Sequence, residues 1–153
     1  MRSREIVRRT LEFDRPERVA ASFPEPYWHD VCHVHYDLVG YHPVWRDVGG
    51  GWQQYVDEWG NTWARLDRTS KGESTRGALE DWGQLDDLRL PDLANPANFG
   101  CVREACADPS TERFRIGGLP GFPFNIARYM RRLEVFLMDL LLEPERVATL
   151  LRR

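Results

Sequence analysis

The sequence predicts an α/β fold with a mainly parallel sheet. Three observations carry that expectation. Short apolar runs alternate with amphipathic helical periods, in the order helix, strand, helix, hairpin, helix, strand, helix, helix. Hydrophobic residues make up 42% of the 153, enough for a buried core and too many for a disordered chain. No repeat period and no low-complexity tract breaks the pattern, and the length fits one domain over residues 1–153.

Each element has its own reason. Ser3 is placed to cap a first helix, and Ile6, Val7, Thr10 and Leu11 recur at helical spacing over residues 4–12. Val19–Phe23 is short and apolar, closed by Pro24 and Pro26, and is predicted as a strand. Tyr27, Val31, His35 and Leu38 follow a helical period that stops at Gly40, so residues 27–39 are predicted as helix. Gly49-Gly50-Gly51 is a joint without backbone preference. Residues 52–58 and 62–67 flank Gly60-Asn61 as a β-hairpin, and the polar residues 68–84 form a surface loop. Asn95-Pro96 caps and opens a helix to Ala107, followed by a strand at Arg113–Gly117. Pro123 starts a helix whose apolar face is Ile126, Met130, Leu133, Leu137 and Leu140. Glu143-Pro144-Glu145 restarts it toward Leu151. Arg153 falls inside an amphipathic turn, so the architecture is expected to continue beyond it.

Composition excludes several function classes. Lys and Arg number 21 against 24 Asp and Glu, a net charge of −3, which does not suit a tracker of nucleic-acid phosphates. The longest apolar stretch, Val135-Phe136-Leu137-Met138, meets Asp139 and is too short to span a membrane. The N-terminus lacks the apolar core of a signal peptide. Cys32, Cys101 and Cys106 are too sparse for a disulfide framework, and a cytoplasmic location fits them best.

Four places carry candidate chemistry. His29, Cys32, His33 and His35 form one metal-like cluster; on a helix, the first three would share a face and suit zinc. A fourth ligand is missing, so no metal ligand is assigned and the bland reading is incidental histidines beside a buried cysteine. Asp57, beside Trp59, is the best acidic candidate for catalysis if partly desolvated; the alternative is a turn aspartate bonding its own backbone. Gly117-Gly118-Leu119-Pro120-Gly121 joins a strand to a helix, where backbone N–H groups of Gly118 and Gly121 could meet a substrate; the alternative is a plain turn. Ten of the 18 aromatic residues, with all six Trp, fall between Tyr27 and Trp82, as an aromatic core or as the wall of a pocket.

Several motifs, in order, resemble one family. Ser3-Arg4-Glu5 through Leu11 and Asp14-Arg15-Pro16-Glu17-Arg18-Val19 resemble the "S-R-E-x-V-x-x-x-L…P-D-R-V-P" opening of uroporphyrinogen decarboxylase-like proteins. Asp57-Glu58-Trp59-Gly60 is similar to their D-E-W-G element, and Leu90-Pro91-Asp92 to their P-D-P linker. Residues 129–134 and 137–145 are similar to their "L-R-G-x-E…L-M-D-L…P-E" helices, with Arg132 in place of the usual glycine. The resemblance implies part of a TIM (β/α)8 barrel: the N-terminal helix, the first two or three βα units and a β-hairpin insertion. A closed barrel needs at least ~200 residues. It also implies tetrapyrrole decarboxylation or corrinoid-linked methyl transfer, with Asp57 catalytic and Trp59, Gly118 and Gly121 at the substrate, a tetrapyrrole or a methylated compound. Zinc and a corrinoid would serve the full-length methyltransferase-like enzyme, neither held by this segment, which alone would be inactive. The decarboxylase's arginine-bearing segment corresponds here to Val19–Glu25, which has no Arg; Glu25 and Asp30 would repel a polycarboxylate, favouring the methyltransferase branch. The alternatives are a non-catalytic half-barrel that self-associates or joins a complementary chain, and a small His/Cys metal-binding protein.

Overall fold

The computed structural model describes residues 1–118 and 121–153. In chain order its elements are α1 (Ser3–Leu11), β1 (Val31–His35), β2 (Arg46–Gly49), β3 (Trp52–Val56), β4 (Thr62–Arg65), β5 (Glu73–Arg76), α2 (Gly100–Ala107), β6 (Phe114–Gly118), α3 (Pro123–Arg131), α4 (Leu133–Leu142) and α5 (Pro144–Leu151). Single 3-10 turns stand at Trp82–Gln84 and Pro96–Phe99. The chain divides into two compact units, Met1–Val39 with Ala94–Leu119, and Gly40–Leu93 with Pro120–Arg153.

In the first unit β1 and β6 pair in parallel, Val31 opposite Phe114 and His35 opposite Gly118. Val31 and Val34 are buried, and α1 buries Ile6 and Val7. Ser3 does not cap α1. Its hydroxyl donates to Asp30 Oδ1 at 2.8 Å, and Arg2 occupies the cap position without a side-chain bond. The 3-10 turn before α2 opens as the sequence expects, with Ala97 N–H donating to Asn95 Oδ1 at 3.0 Å and proline next in line.

The second unit begins with an antiparallel meander in the order β2-β3-β4-β5. Gly49, Gly50 and Gly51 hold φ of 93°, 62° and 79°, so the triple glycine is the reversal between β2 and β3 rather than a joint between larger parts. An aromatic ladder crosses the sheet, with centroids 4.4 Å apart from Trp45 to Tyr55, 6.3 Å from Tyr55 to Trp63 and 4.8 Å from Trp63 to Tyr129 of α3. Leu79, Leu85, Ala127, Met130, Phe136, Val147 and Leu150 form the apolar core, with Trp59 and Trp82 packed against it. The chain leaving β5 runs so close to the end of α3 that a Cβ on Gly77 would stand 1.9 Å from the Met130 carbonyl oxygen. Only glycine fits there.

The partial-barrel expectation is overturned. A barrel unit carries the chain from each strand through a helix to a parallel neighbour. Here β2 to β5 reverse direction through short turns, and among the described residues only β1 and β6 pair in parallel. The fold is mixed α and β, with a two-stranded parallel sheet and a separate four-stranded antiparallel one. Three local expectations change with it. Residues 27–39 hold β1, not a helix: of the expected helical period only Val31 is buried, while Tyr27 and His35 are exposed, and pairing with β6 decides the backbone. Val19–Phe23 forms no strand beyond a single bridge from Ser22 to His29. The expected loop 68–84 contains β5.

The helix expected from Pro123 through Leu140 is two helices. Arg132 breaks it at φ 61° and ψ 144°, a conformation that L-residues rarely hold. Past the break the inward face of α4 is Phe136 and Asp139, while Leu133, Leu137 and Leu140 lie exposed. No helix among the described residues is long and apolar enough to cross a membrane.

Candidate functional site

The β3–β4 connection places Asp57 at the centre of a hydrogen-bonded knot. Its Oδ1 accepts from Trp59 N–H at 3.0 Å and Asn61 N–H at 2.8 Å. Its Oδ2 accepts from Asn61 Nδ2 at 2.9 Å and from the Trp63 indole Nε1 at 2.7 Å. Asn61 is fully buried and accepts from Ala78 N–H at 3.0 Å, tying the turn to the chain beyond β5. A carboxylate with four donors already aimed at it has its lone pairs committed to structure. Gly60 closes the turn at φ 86°. Trp59 leans on the apolar core and lines a hollow with Gly60, Ala78 and Leu88. The sequence therefore placed Asp57 and Trp59 correctly in one turn, and the geometry gives Asp57 the work of a turn aspartate.

Gly118 and Gly121 have different surroundings. A Cβ on Gly118 would stand 2.5 Å from His35 Nδ1, so the glycine lets β6 lie against that imidazole. Gly121 holds φ 45°, and a Cβ added there would stand in ordinary contact range of Ile126. Leu119 and Pro120, the middle of the expected substrate loop, lie outside the described residues.

The metal-like cluster comes apart because Cys32, His33 and His35 are on a strand, with His29 before it. Side chains alternate between faces there, so Cys32 points away from His33 and His35. The two imidazoles stand parallel at 6.2 Å between centroids. His29 meets Ser22 Oγ at 3.4 Å. Among the described residues, no group of three or more His, Cys, Asp or Glu side chains is placed to hold a metal ion.

Two charged knots were missed by sequence reasoning. Asp30, 1% exposed, accepts both guanidinium arms of Arg18 at 2.6 and 2.7 Å and the Ala21 N–H at 2.9 Å. The Arg18 hydrogen bonds, then Ala21 N–H and Ser3 Oγ, hold its carboxyl well below the usual aspartate range despite burial. Asp30 is thus neutralised and does not repel a carboxylate as its bare charge implies. The second knot joins Arg131 and Asp139, both 7% exposed. Arg131 Nε donates to Asp139 Oδ2 at 2.8 Å, and its other arm reaches the carbonyls of Leu79 at 2.9 Å and Glu80 at 2.7 Å. Trp82 Nε1 donates to Asp139 Oδ1 at 3.2 Å, and the guanidinium lies 4.5 Å from the indole centroid. The legible signal was an acid inside an apolar helix, since Asp139 interrupts Val135–Leu142.

No family model, curated protein or solved structure matches the chain.

Proposed function

We propose that the chain serves corrinoid-linked methyl transfer, in the manner of the uroporphyrinogen decarboxylase-like proteins that its motifs resemble. The observation that supports this is where the motif residues fall. Asp57 and Trp59 of the D-E-W-G element meet in one knot, and Arg131 and Asp139 of the two helical motifs form a buried ion pair. A chance likeness has no reason to select buried, mutually bonded positions. Methyl transfer is preferred over tetrapyrrole decarboxylation because Val19–Glu25 carries no arginine, and the adjacent Arg18 is spent on Asp30.

The described side chains do not fit zinc, for want of a ligand set. Two cavities of the second unit, about 320 and 480 Å³, have the volume of small-ligand sites and are too small to enclose a macrocycle. The chain's own share is therefore the methylated compound or its acceptor, and no step is derived through zinc or the corrinoid. Calorimetric titrations of the chain with small methylated amines and thiols and with uroporphyrin III test the reading. Binding of a methylated compound alone is expected. Binding of uroporphyrin alone moves the assignment to decarboxylation, and binding of neither overturns both.

A second reading, association with another chain, is favoured by α4. Leu137, Met138, Leu141 and Leu142 are 48%, 59%, 83% and 70% exposed on one short helix. Concentration-dependent sedimentation is its expected sign, and a monomer at all concentrations removes self-association.

A further inference from the structure

A cavity of about 320 Å³ opens in the second unit, between β4–β5 and the break from α3 to α4. Three features set it apart from an incidental hollow. The first is an unpaired group. Ser74 is among the lining residues, and its Oγ, turned out of reach of solvent, is the one buried side-chain N or O among the described residues without a hydrogen-bond partner. An orphaned buried hydroxyl is unfavourable until something accepts from it. The second is charge. Lys71, Arg128 and Arg132 face Glu73 and Glu134, an excess of one positive charge. Arg128 is fixed, donating to Asn125 Oδ1 at 2.9 Å and Tyr129 Oη at 2.7 Å with its guanidinium 4.3 Å from the tyrosine centroid. Arg132 is held loosely, 3.4 Å from the Thr75 carbonyl oxygen and 3.7 Å from Glu134. The third is the aromatic lining of Trp63 and Tyr129, whose rings stand 4.8 Å apart.

We propose that this cavity binds an aromatic monocarboxylate, its carboxylate accepting from Arg132 and from Ser74 Oγ once that hydroxyl turns about χ1 into the cavity, and its ring lying against Trp63 and Tyr129. One carboxylate balances the surplus charge; a phosphate dianion overshoots it and meets Glu73 and Glu134. A guanidinium fork and a hydroxyl suit carboxylate geometry, and the aromatic lining accepts a flat apolar body. The inference is independent of methyl transfer, because binding alone is read and no tetrapyrrole is present.

Calorimetric titration with benzoate tests it, with benzamide, acetate and inorganic phosphate as comparisons. Benzoate is expected to bind more tightly than each of the three. Ser74→Ala is expected to weaken benzoate about tenfold, the worth of one charge-assisted hydrogen bond. Arg132→Gly is expected to weaken it by at least as much. Neither change threatens the fold, since one removes an unsatisfied hydroxyl and the other relieves a positive-φ arginine, and thermal melts of both variants verify this. Absent benzoate binding, equal binding by both variants, or benzamide or phosphate binding as tightly as benzoate each overturns the proposal.

Discussion

Replacing Asp139 with alanine isolates what the buried ion pair contributes. The side chains of Arg131 and Asp139 are 6% and 10% exposed, so water cannot take over the role of the missing carboxylate. The substitution leaves the guanidinium with two carbonyls and an indole face but no counter-charge, and it orphans the Trp82 N–H. Breaking a buried pair by removing one partner costs about 3–5 kcal/mol. Domains of this size are stable by roughly 5–15 kcal/mol, so the loss is a large share of the total. With a urea slope of about 2 kcal/mol per molar, the midpoint should fall by roughly 2 M, followed by tryptophan fluorescence. Arg131→Met should cost a similar amount, because it leaves Asp139 charged and unpaired. Arg131→Met combined with Asp139→Leu should be milder than the sum of the singles by at least ~2 kcal/mol, since no lone charge remains. The double variant still leaves the Leu79 and Glu80 carbonyls without the guanidinium, so it should not regain wild-type stability. A midpoint for Asp139→Ala within 0.5 M of wild type (an order-of-magnitude bound) would refute this reasoning, as would single effects that simply add.

Arg132→Gly should stabilise the second unit by about 1 kcal/mol. Holding arginine at φ 61° and ψ 144° costs on the order of 1–3 kcal/mol, and glycine returns roughly 0.4–1 kcal/mol of that through its freer unfolded chain; a lower urea midpoint would show that the side chain matters more than the backbone. Asp30→Asn should cost about 2 kcal/mol at pH 7 through its charge-assisted bonds to Arg18. The Asp30 carboxyl titrates lower in the folded protein than unfolded, so its contribution is fully present above the ordinary aspartate pKa of about 3.9 and fades as pH falls through the folded value. The gap between wild type and Asp30→Asn should therefore persist at pH 5 and narrow below about pH 4; a gap that widens on acidification reverses the sign and refutes the assignment.

Local punctuation was legible and pairing was not. Pro96, Pro123 and Pro144 each open a helical turn as their fixed φ and missing N–H dictate. Gly60-Asn61 marks the β3–β4 reversal. By contrast, Val31 and Val34 fit either a helical face or a strand, and only the distant Phe114–Gly118 segment settles which. Glu73-Ser74-Thr75-Arg76 carries no apolar alternation, so β5 is invisible until β4 supplies its hydrogen bonds. β2 and β5, neither expected as a strand, extend the expected β3–β4 hairpin into a four-stranded sheet, and that difference separates a barrel segment from a meander. At the site, Asp57 was found by its neighbours in sequence, but its role depended on Asn61 and Trp63, whose donors reach it only once the turn is folded.

Where the sequence departs from local rules, two departures coincide. Asp57 and Asp139, buried acids inside the quoted motifs, spend both oxygens on hydrogen bonds within the fold, so they serve the scaffold. Chemistry needs groups left unsatisfied or strained, and the rest of the fold must bear their cost. Ser74 is the one orphaned buried hydroxyl among the described residues, and Arg132 holds a backbone that glycine would hold more easily. The two come from different elements, 58 positions apart in sequence, and line the same cavity. Stability alone gives no reason for both departures to fall there, because alanine at one and glycine at the other would each relieve the fold. A ligand that accepts from the hydroxyl and pairs with the guanidinium supplies the reason, and it predicts that the variants gaining stability are the ones losing affinity.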